Sequence, residues 1–174
     1  MLKDYIEIKI AAPTDALPVA NVGRITFYET WEDVNTPEDM KLYCDEAFDL
    51  ERIENDIRNP LNTFLLASMN GKIAGYVKLR RDRTREELGT ANVLELERIY
   101  ALKEFQSKKI GYSLMKRSIE IASAEKVEWM WLGVNEFNFK AMDFYKRFDF
   151  EVFGIKRFKL GNAEDNDFLM KKKF

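Results

Sequence analysis

Lys108 and Lys109 stand where a helix is expected to begin, in the run Gln106-Ser107-Lys108-Lys109-Ile110-Gly111. The first N–H groups of a helix lack intrahelical partners, and the helix dipole favours negative charge at that end. Acidic residues are the usual complement there, so two cations suit a ligand that carries phosphate. Backbone N–H groups and the two lysines holding a pyrophosphate is one reading. An ordinary helix start with solvated lysines is the other, and so short a motif does not separate them. Histidine is absent from the 174 residues, and Cys44 is the only cysteine. Ser-His-Asp and Cys-His catalysis are therefore excluded, as are an internal disulfide and a cysteine-based zinc site. Acid–base chemistry must fall to Asp, Glu, Tyr, Lys or water.

The elements that position this loop can be read from patterning. Tyr5 to Ile10 alternates as a strand, and a helix follows from about Pro13 to Glu29, capped by Thr14 or Asp15, with Leu17, Ala20, Ile25 and Tyr28 facing inward. Thr36-Pro37 starts a second helix, and Leu50 to Arg58 forms a third, ended near Asn59-Pro60. Asn70-Gly71 between the apolar runs 64–69 and 72–80 predicts a type I′ hairpin, because both central positions need positive φ. A charged loop, 81–92, leads to the strand 93–102, then to an amphipathic helix from Lys108 to Ala124. A buried strand at 128–134 precedes a helix at 137–148, where Ala141, Phe144, Tyr145 and Phe148 form one stripe. Two strands around Gly161-Asn162 close the chain. The pattern predicts a single α/β domain over 1–174, with a mixed sheet and helices on both faces.

Composition restricts partners. A net charge of −2 argues against nucleic acid as the main partner. No apolar run approaches the roughly 18 residues of a membrane span, and the N-terminal MLKDYIEIKI lacks a signal-peptide core, so a cytoplasmic protein is expected. The loop at 81–87 and Lys171-Lys172-Lys173 read as solvated, without an assigned role.

The strand–loop–helix context of Gln106 to Gly111 resembles the acyl-CoA loop of the GNAT-type (Gcn5-related) N-acetyltransferases, which reads Gln/Arg-x-x-Gly-x-Gly/Ala. Gln106 and Gly111 match its ends, while Lys109 stands where the first glycine is usual. A first-turn residue has negative φ, so that glycine is expected to serve close approach rather than backbone freedom. Lysine there either crowds the pyrophosphate or adds a charge-assisted contact. The stretch LGVNEFNFKAMDFYKRFDF resembles the family's second motif. Asn138 matches the asparagine that usually touches the cofactor, and Tyr145 the tyrosine that usually protonates the departing thiolate. Asp149 replaces a glycine common before the last aromatic, which bears on turn geometry.

The resemblance implies six or seven mostly antiparallel strands flanked by about four helices, with acetyl-CoA as co-substrate and no metal. It implies that backbone groups of Ile99, Tyr100 and Ala101 bind the pantetheine arm and thioester, and that Gln106, Ser107, Lys108, Lys109, Ile110, Gly111, Tyr112, Asn138 and Lys146 complete the cofactor site. It implies that Glu97, with Glu95 as the second choice, attracts a cationic amine and relays its proton through water. Pairing with Arg80, Arg81 or Arg98 on a solvated sheet face is the plainer reading of both glutamates. Core packing is the plainer reading of Tyr145.

The N-terminal half looks most like the bacterial PaiA-type polyamine acetyltransferases, on Thr26 to Trp31, Asn35 to Met40, Ala47-Phe48 and Gly75 to Leu79. That likeness implies spermidine or spermine as acceptor. Glu29, Glu32, Asp33, Asp39, Asp45, Glu46 and Asp49, with Phe27, Tyr28 and Trp31, could hold a polycation. The expected reaction is direct acetyl transfer to a primary amine in a ternary complex. The alternatives are another acceptor (a protein N-terminus, an amino sugar or a small amine) and a non-catalytic acyl-CoA-binding regulator. A homodimer is expected from the family's habit.

Overall fold

The computed structural model describes residues 5–160 and 163–174. The N-terminal four residues and the expected Gly161-Asn162 turn lie outside the described residues. Seven strands form one sheet: β1 (Ile6–Ile10), β2 (Asn62–Met69), β3 (Lys72–Arg80), β4 (Val93–Ala101), β5 (Trp129–Asn135), β6 (Glu151–Leu160) and β7 (Ala163–Lys173). Five α-helices are described: α1 (Ala16–Trp31), α2 (Pro37–Ala47), α3 (Leu50–Arg58), α4 (Ile110–Ala124) and α5 (Phe139–Lys146). The strand order is β1-β2-β3-β4-β5-β7-β6, and every neighbouring pair is antiparallel except β4 and β5. The parallel pair needs a crossover, which α4 supplies.

Local chemistry accounts for the starts and stops. Asn70 and Gly71 take φ of 50° and 79° and close the β2–β3 hairpin. The Thr36 hydroxyl accepts from Asp39 N at 3.2 Å and caps α2, with Pro37 following; the Asp49 carboxylate accepts from Arg52 N at 2.8 Å and caps α3. The first helix differs from expectation. Pro13–Asp15 is a separate 3-10 turn, and the Asp15 carboxylate turns back to Ala12 N and Lys9 rather than capping α1. The inward residues of α1 are Val19, Ala20, Val22, Gly23, Thr26 and Phe27, whereas Leu17 and Ile25 are exposed. Small residues and a hydroxyl take the buried face because α1 lies close to its neighbours. A Cβ on Gly23 would meet the Phe48 ring at 2.4 Å.

The sheet is buried on both sides. On one face Leu65, Val77, Leu79, Leu94, Leu96, Met130 and Leu132 pack with Ile110, Leu114 and Met115 of α4 and Tyr145 of α5. On the other, Phe64, Leu66 and Tyr76 pack with Val19, Val22 and Ile53, and Tyr100 packs beside Phe27, Met40, Cys44 and Phe48. The C-terminal lysines are not simply solvated. Lys171 Nζ lies 4.3 Å from the centroid of the Trp129 ring, and Lys172 lies over Phe174 at 5.8 Å.

Candidate active site

The site begins as a defect in the sheet. β4 and β5 pair only at Val93↔Trp129, Leu94↔Met130 and Glu95↔Trp131. Beyond Glu95 the two strands part, and Leu96–Ala101 faces Leu132–Asn135 with no ladder between them. Two cavities adjoin the opening. One, of about 620 Å³, is lined by α1, the 80–85 loop, β4 and β5, and reaches Lys156 and Asp167. The other, of about 1010 Å³, is lined by the 103–112 segment and α5. They share Thr30, Ile99, Ala101, Asn138, Ala141 and Tyr145. Two molecules that enter separately would therefore meet at the free edge of β4 and at Tyr145.

The larger cavity is basic and apolar. Lys103, Lys109, Lys140 and Arg147 line it beside Phe105, Ile110, Phe144 and Phe148. Gln106 is fixed by Lys140, whose Nζ donates to Oε1 at 2.8 Å. Ser107, Gly111 and Tyr112 also line it, whereas Lys108 and Lys146 line neither cavity; Lys146 lies 3.7 Å from Asp143. α4 starts at Ile110, not at Lys108, and no side chain caps it. Lys109 is the N-cap in the left-handed region at φ 64°, and Ser107 has φ 67°. The expectation of negative φ at 109 is thus corrected. A glycine there would relieve backbone strain, because αL costs an ordinary residue about 1–2 kcal/mol. Lys109→Gly is expected to raise the thermal midpoint while weakening coenzyme A binding about ten-fold, the size of one charge-assisted contact. Calorimetric titration beside a melting curve checks both; tighter binding would mean that the lysine crowds the site.

α5 positions the shared residues. The Asn138 side chain accepts from Ala141 N at 3.1 Å and caps the helix, which holds it at the junction of the cavities. Tyr145 is 8% exposed, and burial pushes its phenol well above the ordinary range, so it stays protonated. Asp149 takes φ 64°, the left-handed turn that carries the chain from α5 to Phe150.

β4 supplies the carboxylates, but not by simple alternation. The β3–β4 register shifts between Lys78↔Arg98 and Leu79↔Leu96, leaving Glu97 as an extra bulged residue. Leu94 and Leu96 face the α4 side, and after the bulge Ile99 and Ala101 do. Glu97 lies within 3.0 Å of Lys78 Nζ, 3.1 Å of Arg80 and 4.0 Å of Arg98. Burial pushes its carboxyl up, but Lys78, Arg98 and Arg80 together hold it below its ordinary value. Glu95 is 8% exposed and shifts the other way, raised first by burial and then by the charge of Glu97. Tyr100 lines the smaller cavity alone of the three β4 residues expected at the thioester, while Ile99 and Ala101 line both.

Several lining residues escaped the sequence reading. Lys103, Lys140 and Arg147 are single cations with no motif. Arg83 and Arg85 belong to the loop read as solvated, yet they line the smaller cavity with Trp131. Arg81 from the same loop instead pairs with Glu125. Of the acidic set at 29–49, Glu29 alone lines either of these two cavities, the larger one, where its carboxylate accepts from Lys103 N at 3.0 Å. Asp45 is paired with Arg24 and Lys41, and Glu46 with Arg52. Among the described residues no group of acidic or sulfur side chains could hold a metal ion, and no helix is long and apolar enough to cross a membrane.

A sheet parted between parallel neighbours, with a basic cleft and a mixed cavity meeting at a neutral tyrosine, defines an acyl-transfer protein with two substrates. The profile of the acetyltransferase (GNAT) family matches residues 24–150, and the chain belongs to that family, the acetyl-CoA-dependent N-acetyltransferases. It is 35% identical over 155 residues to an uncharacterized N-acetyltransferase of Lactobacillus delbrueckii subsp. lactis, covering 87% of each chain. It is 25% identical over 173 residues to the spermidine N(1)-acetyltransferase of Thermoplasma acidophilum, covering 97% of this chain and 98% of that one. The fold matches the crystal structure of the PaiA N-acetyltransferase from Thermoplasma acidophilum in complex with coenzyme A, with a TM-score of 0.79 at 24% identity, over 98% and 99% of the two chains.

Proposed function

We propose that this protein transfers the acetyl group of acetyl-CoA to a primary amine by direct attack in a ternary complex. The observation that carries the reading is the junction of two cavities at Tyr145 and the unpaired edge of β4. The pyrophosphate lies at the uncapped start of α4 with Lys103, Lys109 and Lys140 around it, and the pantetheine arm runs along Ile99 to Ala101 like an added strand. The amine nitrogen attacks the thioester carbonyl, a C–N bond forms and the C–S bond breaks. Tyr145 gives its proton to the departing sulfur, and the proton released by the amine nitrogen returns to the phenolate through water. An amine is largely protonated at neutral pH, so a base must first remove one proton. Glu97 is neutralised by its three cations, whereas Glu95 has the raised carboxyl suited to that work. We assign the relay to Glu95 and a positioning role to Glu97.

Thiol detection of coenzyme A release, with and without amine, tests the reading. Amine-dependent release is expected, and Glu95→Gln should lower kcat/KM about 10²-fold at neutral pH. Bound coenzyme A with no release for any amine would overturn it and leave an acyl-CoA-binding regulator. A polyamine acceptor is supported by the likeness to the Thermoplasma spermidine N(1)-acetyltransferase, and spermidine belongs in the first panel.

A further inference from the structure

The smaller cavity carries more positive than negative charge. Arg80, Arg83, Arg85, Arg98 and Lys156 line it against Glu95, Glu97 and Asp167. The acids are mostly spoken for. Glu97 is matched by Lys78 and Arg80, and Asp167 lies 3.7 Å from Lys156. Among the described residues, Glu95, Arg83 and Arg85 form no ion pair within 4.0 Å. One side chain nevertheless ties down the loop that carries both arginines. The Trp131 indole N–H donates to the Arg83 carbonyl at 3.2 Å, and its ring lies 5.0 Å from the Arg85 guanidinium. Trp131 itself is 2% exposed and is the register partner of Glu95 across β4 and β5. One aromatic thus anchors the Arg83 backbone and the Arg85 guanidinium at the rung where the sheet parts, beside a carboxylate that has no ion pair among the described residues.

We propose that the acceptor is a small amine bearing an acid group, carboxylate or phosphate, with its nitrogen at Glu95 and the acid at Arg83 and Arg85. This rests on the acetyl-transfer reading and narrows its substrate class. Guanidinium forks match both acid groups in pairs of hydrogen bonds. A polycation would have to place positive charge against the same two arginines, where like charges repel.

The test compares kcat/KM, in the full chain, for five acceptors: 5-aminopentanoate, 4-aminobutyl phosphate, pentylamine, 1,5-diaminopentane and spermidine. An acid-bearing amine is expected to exceed pentylamine about ten-fold, and the two polycationic acceptors, 1,5-diaminopentane and spermidine, to fall below it. The better of the two acid acceptors identifies the group. The ratio of 5-aminopentanoate to 1,5-diaminopentane should invert in Arg83→Glu/Arg85→Glu, a readout independent of overall activity. Turnover of pentylamine or spermidine with no preference for acids, or a ratio that ignores the charge reversal, overturns this proposal alone. Silence of all five with coenzyme A still bound overturns the acetyl-transfer reading, and this one with it.

Discussion

Tyr145→Phe is expected to lower kcat by about 10²–10⁴-fold, the contribution of a positioned general acid, with coenzyme A binding retained. The expectation follows from where the hydroxyl sits. Tyr145 belongs to both cavities, its phenol is kept neutral by burial, and burial is the sole cause of that shift. No cation near it favours phenolate, so the group is a donor across the working pH range. The substitution leaves the ring, and with it the contacts to Phe144 at 5.6 Å and Phe150 at 6.1 Å between centroids. A fall in kcat with unchanged melting temperature and unchanged calorimetric affinity for coenzyme A separates chemistry from packing. An intact kcat would mean that solvent protonates the sulfur and that Tyr145 is core.

Glu97→Gln should cost about 3 kcal/mol of stability, the low end of what removing one partner of a buried ion pair costs. The low end applies because two of its cations keep a second acid. Lys78 Nζ remains 2.7 Å from Asp56, and Arg80 remains 2.8 Å from Asp82. Arg98 does not, since Glu97 at 4.0 Å is its nearest ion-pair partner and its side chain is only 10% exposed. For a domain of this size the loss corresponds to a fall in melting temperature of about 6–12 °C. Its pH dependence has a definite sign. The folded carboxyl of Glu97 lies below its ordinary 4.5, so its stabilisation is complete above that value and disappears as pH falls through the depressed folded value. Urea melts at pH 7 and below pH 4.5 should therefore show the gap between wild type and variant closing in acid. A gap that stays constant would mean that the carboxylate charge is not what holds Lys78 and Arg98.

The parts of this fold that were legible in the sequence are those decided locally. Asn70-Gly71 can close a hairpin because of its own backbone freedom, and Thr36-Pro37 starts a helix through a hydrogen bond that spans three residues. The strand read at 93–102 and the loop–helix step after it were legible from their apolar run and polar break, whereas their reading as a cofactor cleft came from the family resemblance. What long-range packing decides was not. Nothing local marks Glu97 as a bulge, since the extra residue exists only relative to β3. Nothing local sends Arg81 to Glu125 while Arg83 and Arg85 turn to Trp131. The phase of α1 was misjudged because Leu17 and Ile25 outweigh glycine and threonine in hydropathy, whereas close approach to Phe48 selects the small residues. Lys109 was expected in a helical first turn and lies one step before it, and that step changes the sign of φ.

Three rungs join β4 to β5, so the sheet is two half-sheets joined at one end. β1 to β4 form one panel and β5 to β7 the other, with α4 as the strap between them. A ligand lying in the gap with hydrogen bonds to both panels acts as a keystone: it completes the span that the chain leaves unfinished. Such a ligand would stabilise the joined sheet by its own binding free energy, so the melting temperature would rise with ligand concentration. The first substrate to enter would in this way also build the wall against which the second one docks.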